Sequence, residues 1–319
     1  MTYKILIVGI GSIGYRHLES FINHKIKYDI TIVDKSKTSL KLSRIKWDRD
    51  TMNMSNHKVH WQNNIKFKKK IFDLAIISTG SNNRANLIKK ISNVVKVRYW
   101  ILEKIIGQSI NDLKIIKYVT RYSSAVYINL PRREMELYKR IRMKLNFRKI
   151  NFIQKFSNNW ALACNSIHFI DLACWLTKQH ILNINTEYLE TKWFSSKRKG
   201  YYEINGKLIT KFSGGAKLIL KNSASVKSNY FLIKMEDNVI WKINEKKGLA
   251  VSSNGEIIQG RYTLQSEMTS KIVTRILTKK KIKLTSLEES IKHHEFFLKK
   301  MLIHWNKSRG LNSIKVPIT

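Results

Sequence analysis

Residues 4–14, KILIVGIGSIG, followed by ITIVD at residues 30–34, decide how this chain is read. The apolar, branched run 4–8 has the pattern of a strand buried on both faces, as in a parallel sheet. Gly9, Gly11 and Gly14 then fill a G-x-G-x-x-G spacing, and residues 13–23 predict a helix directly behind the turn. In such a strand–turn–helix the first glycine permits the tight turn and the second lets the backbone approach a pyrophosphate. The third allows close packing of helix on strand. The helix N-terminus, with Ser12 and Ile13 in its first turn, presents free N–H groups and a partial positive charge to the phosphates. Asp34 ends the second strand, twenty residues after Gly14, where a dinucleotide fold needs an acceptor for a ribose 2′-hydroxyl. NAD is the expected cofactor, because a carboxylate repels a 2′-phosphate. Lys35 and Lys37 beside it leave NADP open.

Outward from this turn the chain alternates. Strands are predicted at 72–78 (FDLAIIS), 100–103 and 125–129, and helices at 37–47, 83–91 and after Ser109, with Asp112 three residues on. The stretch from the second helix to about residue 64 is ambiguous. Strands alternating with helices predict a doubly wound parallel sheet with right-handed crossovers, a Rossmann domain over residues 1–125. From Pro131 the rhythm changes. A basic helix over 132–145, a strand at 150–156 and a helix over 166–177 precede strand-like runs between 186 and 260, broken by Gly and Asn. Asn205-Gly206 and Asn254-Gly255 are predicted hairpin turns. Two helices finish the chain, the last opened by Thr285 with Glu288 or Ser286 with Glu289 as a capping box. Residues 126–319 are thus expected to form an α+β domain on an open, mostly antiparallel sheet.

The bulk numbers agree with two folded domains. At 319 residues with 43% hydrophobic content, the chain has material for two cores. Two cysteines, Cys164 and Cys174, make neither a disulfide framework nor a cysteine-rich metal site, which suits a reducing cytoplasm. No run approaches the roughly 18–20 apolar residues of a membrane helix, so a cytoplasmic protein without a membrane partner is expected. His57, His60, His293, His294 and His304 lack acidic or thiol companions at ligand spacing, so no metal is expected. The net charge of +38 predicts attraction to polyanions. Its lysines are nevertheless dispersed, with short knots at 66–70, 197–199 and 279–283, and Lys, Ile and Asn are abundant together, as AT-rich codon usage favours. Solvated basic faces are the plainer account, and no nucleic-acid-reading signature accompanies the charge.

Five segments in order, GSIGYRH, STGSNN, LEK, NLPRRE and CNSIHFIDLACWL, resemble the Gfo/Idh/MocA family of glucose–fructose oxidoreductase, inositol dehydrogenase and relatives. The resemblance covers essentially the whole chain. It implies an NAD(P)-dependent oxidoreductase acting on a sugar, inositol or nucleotide sugar, with a C-terminal substrate domain whose sheet serves homo-oligomer contacts. The family's Glu-Lys-Pro signature appears as Glu103-Lys104-Ile105, so Lys104 inherits the catalytic place beside nicotinamide and substrate, and Glu103 falls with the cofactor residues. The proline is missing here; family members often hold that bond cis. A second motif, usually Asp-x-Gly-x-His, reads Cys164-Asn165-Ser166-Ile167-His168. His168 becomes the proton shuttle, a role suited to a side chain that changes charge near neutral pH. Cys164 replaces the family's sugar-orienting Asp, and Asn165 is left as the substrate hydrogen-bonding side chain.

Ser78, Thr79 and Gly80 fall where the family's loop passes the nicotinamide side of the cofactor. Arg84 stands where many members carry His. Arg132, beside Arg133, is a candidate for a substrate carboxylate or phosphate. The CNSIH and NLPRRE versions look like members from bacterial surface-polysaccharide and sialic-acid-like sugar pathways. Two further readings stand beside this one: a family-fold protein that binds without turnover, suggested by the lost Pro and Asp, and a basic polyanion binder.

Overall fold

The computed structural model describes residues 2–52, 55–67, 70–145, 148–158, 160–226 and 229–319. In chain order the first half runs β1 (Tyr3–Val8), α1 (Ser12–Glu19), β2 (Tyr28–Val33), α2 (Lys37–Thr51), β3 (Lys58–Gln62) and β4 (Lys70–Ile77). It continues with α3 (Arg84–Val94), β5 (Val95–Leu102), α4 (Ile110–Val119) and β6 (Ala125–Ile128). A 3₁₀ turn (Pro131–Glu134) leads to α5 (Glu136–Lys144), β7 (Ile150–Ser157), α6 (Leu162–Thr177), β8 (Ile181–Asn185), β9 (Leu189–Ser195) and β10 (Tyr202–Phe212). The remainder is β11 (Lys217–Asn222), β12 (Tyr230–Met235), β13 (Ile240–Asn244), β14 (Leu249–Ser252), β15 (Ile257–Gln259), α7 (Gln265–Leu277), β16 (Thr285–Ser286) and α8 (Leu287–Arg309).

These elements build two compact units. The first holds the chain through Ile106, Asn111–Asn129 and Thr263–Leu287; the second holds Gly107–Ile110, Leu130–Tyr262 and Glu288–Thr319. The first unit's sheet has the order β16-β6-β5-β4-β1-β2-β3, parallel throughout except for the short β16 against β6. Ile5, Leu6 and Ile7 of β1 and Leu74 to Ile77 of β4 are fully buried, as strands covered on both faces must be. The chain runs outward from β1 through β2 to β3, then returns to β4 on β1's other side and runs outward again. The strand order therefore reverses between β1 and β4, where doubly wound sheets open a crevice at the carboxyl ends of their strands. The ambiguous stretch before residue 64 supplies β3, parallel to β2. Helix α7 belongs to this unit too: Ser20 Oγ donates to Ser270 Oγ at 3.0 Å, and the Tyr28 and Thr274 hydroxyls lie 2.8 Å apart.

The second unit's sheet has the order β15-β14-β13-β12-β7-β11-β10-β8, with β9 also on β10. Among the described residues, only the β7–β11 pair is parallel. Helix α6 packs on β10 and β11. Asn254-Gly255 makes the predicted hairpin, between β14 and β15. Asn205-Gly206 does not: it lies within β10, at a register shift against β9. A Cβ on Gly206 would fall 2.5 Å from the Tyr188 carbonyl oxygen and 2.6 Å from the Leu189 Cα, so the glycine serves a close strand approach, not a reversal. The helix expected over 132–145 is divided, because Met135 is extended (φ −70°, ψ 137°) between the 3₁₀ turn and α5. Among the described residues, no helix is long and apolar enough to cross a membrane.

Candidate functional site

In the first unit the carboxyl ends of β1, β2, β4 and β5 carry the candidate residues. Gly9 leaves β1 with φ +91°, its N–H donating to the Val33 carbonyl at 2.8 Å. Gly11 caps α1 with extended backbone and no side-chain cap, so the first-turn N–H groups at Ser12, Ile13 and Gly14 are the helix's unsatisfied donors. A Cβ on Gly11 would meet no atom within 4 Å, whereas one on Gly14 would lie 1.9 Å from the Gly9 carbonyl oxygen. The turn is therefore packed tightly on its inner side and open on its outer side. That is the shape required for backbone to approach an anion. Asp34 faces the same turn: one carboxylate oxygen accepts from Ile10 N–H at 2.7 Å and the other from Ser36 N–H at 2.8 Å. A carboxylate offers about four lone-pair sites, so acceptor capacity is left for a hydroxyl.

Ser78, at the end of β4, turns its hydroxyl to the Gly9 carbonyl at 2.6 Å, tying β4 to the glycine turn. Beyond β5, Lys104 is half-buried, between Glu103 and the fully buried Ile105 and Ile106. The Lys104–Ile105 peptide bond is cis. Glu103 points inward: its Oε1 lies 3.0 Å from His17 Nε2 and accepts from Asn129 Nδ2 at 2.5 Å. His17 Nδ1 is 2.9 Å from the Thr269 hydroxyl, and Asn129 reaches Gln265 at 2.9 Å. Burial pushes the Glu103 carboxyl up, but His17, Asn129 and the Lys104 charge outweigh it and hold the group below its ordinary range. The residue placed among the cofactor contacts by resemblance is thus the hub of a buried network. Sequence gives no local signal for it, because Gln265 and Thr269 arrive from α7, some 160 residues downstream of Glu103.

Arg84 opens α3 and is 1% exposed. Its guanidinium donates to the Thr79 carbonyl in the loop after β4 and to the Glu103, Ile105 and Ile106 carbonyls after β5.

In the second unit, α6 begins at Leu162, a turn before the predicted 166. The reason is a distant cap: the Glu203 carboxylate on β10 accepts from Ala163 N–H at 2.8 Å and Cys164 N–H at 3.2 Å. Cys164 Sγ donates to the Thr319 carbonyl, and Asn165 Nδ2 donates to the Trp160 carbonyl at 2.7 Å. His168 is half-buried on α6. Arg132 Nε reaches Glu245 at 3.0 Å, with its guanidinium over the Phe169 ring, so an acid of its own chain already meets its charge. Arg133 forms paired bonds to Asp171 at 2.6 and 2.8 Å and further bonds to Glu289 at 2.8 and 3.1 Å. Asp171, three residues after His168, thereby anchors α6 to the 3₁₀ turn. His293 lies 3.5 Å from the same carboxylate. Burial opposes charging of His293, but Asp171 and Cys174 outweigh it and push its value up to about 10. Among the described residues, no group of three or more His, Cys, Asp or Glu is arranged to hold a metal ion.

The fold is shared with solved oxidoreductases. An oxidoreductase from Agrobacterium radiobacter, in complex with NAD+, L-tartaric acid and magnesium, matches with a TM-score of 0.70 at 13% identity, over 97% of this chain and 98% of that one. UDP-N-acetylglucosamine 3-dehydrogenase from Acidithiobacillus ferrooxidans matches with a TM-score of 0.70 at 9% identity, over 97% and 100%. A scyllo-inositol dehydrogenase from Lactobacillus casei, with bound NAD(H) and scyllo-inositol, gives 0.66 at 15% identity, over 96% and 98%. No protein-family model and no curated protein sequence matches the chain. At these identities the likeness is one of fold.

Proposed function

We propose that the protein is an NAD(P)-dependent oxidoreductase that moves hydride between nicotinamide and a hydroxyl or ketone of a sugar or nucleotide sugar. The observation that carries this reading is the glycine turn: open at Gly11, closed at Gly14, at a helix N-terminus, with Asp34 bonded to its backbone. The residues fit a dinucleotide. The N–H groups of Ser12, Ile13 and Gly14 would meet the pyrophosphate, and Asp34 a ribose of the adenosine half, on the β2 side of the reversal point. Thr79, Gly80 and Lys104, on the β4–β5 side, would then hold the other half. When bound, the nicotinamide supplies the hydride acceptor or donor. In the oxidation direction the carbinol hydrogen would leave with its electron pair to the bound nicotinamide, and the hydroxyl proton would pass to a base of this chain. Lys104 Nζ is the proton acceptor proposed in the first unit, and His168 the candidate in the second.

The likeness in fold to dehydrogenases of inositol and of a nucleotide sugar supports the substrate class. The CNSIH and NLPRRE resemblance supports a place in surface-glycan biosynthesis, and the open sheet of the second unit is the surface for homo-oligomer contacts. A second reading, binding without turnover, is favoured by Cys164, whose thiol is engaged with the Thr319 carbonyl at the position where the resemblance implies an Asp. Thermal-shift titration with NAD(H) and NADP(H), then NADH formation from inositols and nucleotide sugars, tests both readings. Stabilisation by neither cofactor refutes the proposal. Turnover that disappears in Lys104→Ala eliminates the binding-only reading.

A further inference from the structure

We infer that Arg84 is the positioning residue for the nicotinamide side of the site, acting by holding the loop that carries Lys104; the inference rests on the cofactor reading above. Three observations carry it. Arg84 is buried at the start of α3, yet its guanidinium spends its donors on main-chain carbonyls of two different loops. Thr79 belongs to the loop after β4, and Glu103, Ile105 and Ile106 to the loop after β5. The bonded carbonyls flank Lys104 on both sides, so the backbone of the proposed catalytic lysine is held at either neighbour.

Physical chemistry makes this a fork-specific role. Several carbonyl oxygens converging on one point bring together the negative ends of their dipoles, an arrangement that needs a cation with several donors at its centre. A guanidinium offers five N–H groups in a fixed plane and stays charged, whereas an ammonium offers three on a flexible stem. Lysine at this position keeps the charge but cannot span both loops. On the β2 side Asp34 and the glycine turn hold each other directly. The clamp therefore fixes one half of the crevice and leaves the other to the turn itself.

The experiment compares wild type with Arg84→Lys and Arg84→Gln, using NADH and ADP-ribose as probes; the latter lacks the nicotinamide. The expected result is NADH affinity weakened tenfold or more in both variants, about 1.4 kcal/mol, with ADP-ribose affinity held within about twofold. Hydrogen exchange should rise in the segment containing residues 103–106 and in the loop after β4, and not in β1 or β2. Equal weakening of both probes, or exchange rising throughout the first unit, would make Arg84 a plain fold-stabilising residue and overturn the inference. So would unchanged NADH affinity and unchanged exchange. If wild type binds neither probe, the cofactor reading fails. The exchange data still decide whether the clamp holds the loop, so the two failures are distinct.

Discussion

Replacing Gly11 with alanine should separate cofactor binding from stability. The backbone at Gly11 is extended, φ −67° and ψ −169°, a conformation open to any L-residue. The added methyl would meet no protein atom within 4 Å. Two small effects on stability then oppose each other. Reduced freedom of the unfolded chain contributes about 0.4–1 kcal/mol, and alanine is a poorer N-cap than glycine by about 0.5–1 kcal/mol. The net change is within about 1 kcal/mol, so Tm moves by no more than about 2–4 °C. Gly14→Ala is the contrasting case. Its Cβ would sit 1.9 Å from the Gly9 carbonyl oxygen and 2.9 Å from Ser78 Oγ, so the turn itself must move. That overpacking costs about 1–3 kcal/mol or more. The open space at Gly11 is where the pyrophosphate is proposed to lie. Its methyl should therefore weaken both NADH and ADP-ribose by at least about tenfold, or 1.4 kcal/mol. Calorimetric titration against both probes, with Tm from circular dichroism, reads the two quantities independently. A Gly11→Ala protein that binds NADH like wild type would refute the placement of the cofactor at this turn. A Tm fall as large as that of Gly14→Ala would refute the packing argument.

Two further outcomes follow from the second unit. Asp171→Asn removes the buried carboxylate that pairs with Arg133, leaving the part-exposed Glu289 as its charged partner among the described residues, and should cost about 3–5 kcal/mol in urea unfolding; Glu289→Gln should cost about 1 kcal/mol or less. Equal costs would show that the buried member is not the anchor. Against the opposing effect of burial, the Asp171 and Cys174 side chains push His293 up to about 10 from an ordinary 6.5, so the stability it contributes is fully present below about pH 6.5. It is lost as pH rises toward 10, a decline that His293→Gln should flatten. A urea midpoint with the same pH slope in variant and wild type would rule His293 out as its source.

The sequence by itself determined the doubly wound sheet and the strand–glycine turn–helix that opens it, because these rest on local periodicity and on glycine spacing within the first thirty-four residues. The packing that requires Gly9 and Gly14 comes partly from Ser78 and Thr79, at the end of a later strand. The apolar runs of β1 and β4 and the spacing from Gly14 to Asp34 carry that information wherever the rest of the chain goes. Asn205-Gly206 shows the limit of such reading. The same dipeptide that makes a turn in isolation sits within β10, because the neighbouring strand approaches too closely for any side chain. The early start of α6 was equally hidden, since its cap, Glu203, comes from another element. Only the tertiary structure decided the roles of Glu103 and Arg84. A buried charge takes its meaning from its partners, and theirs arrive from α1, α7 and two separate loops. Local pattern shows where a charged side chain stands, and only the packed structure shows what satisfies it.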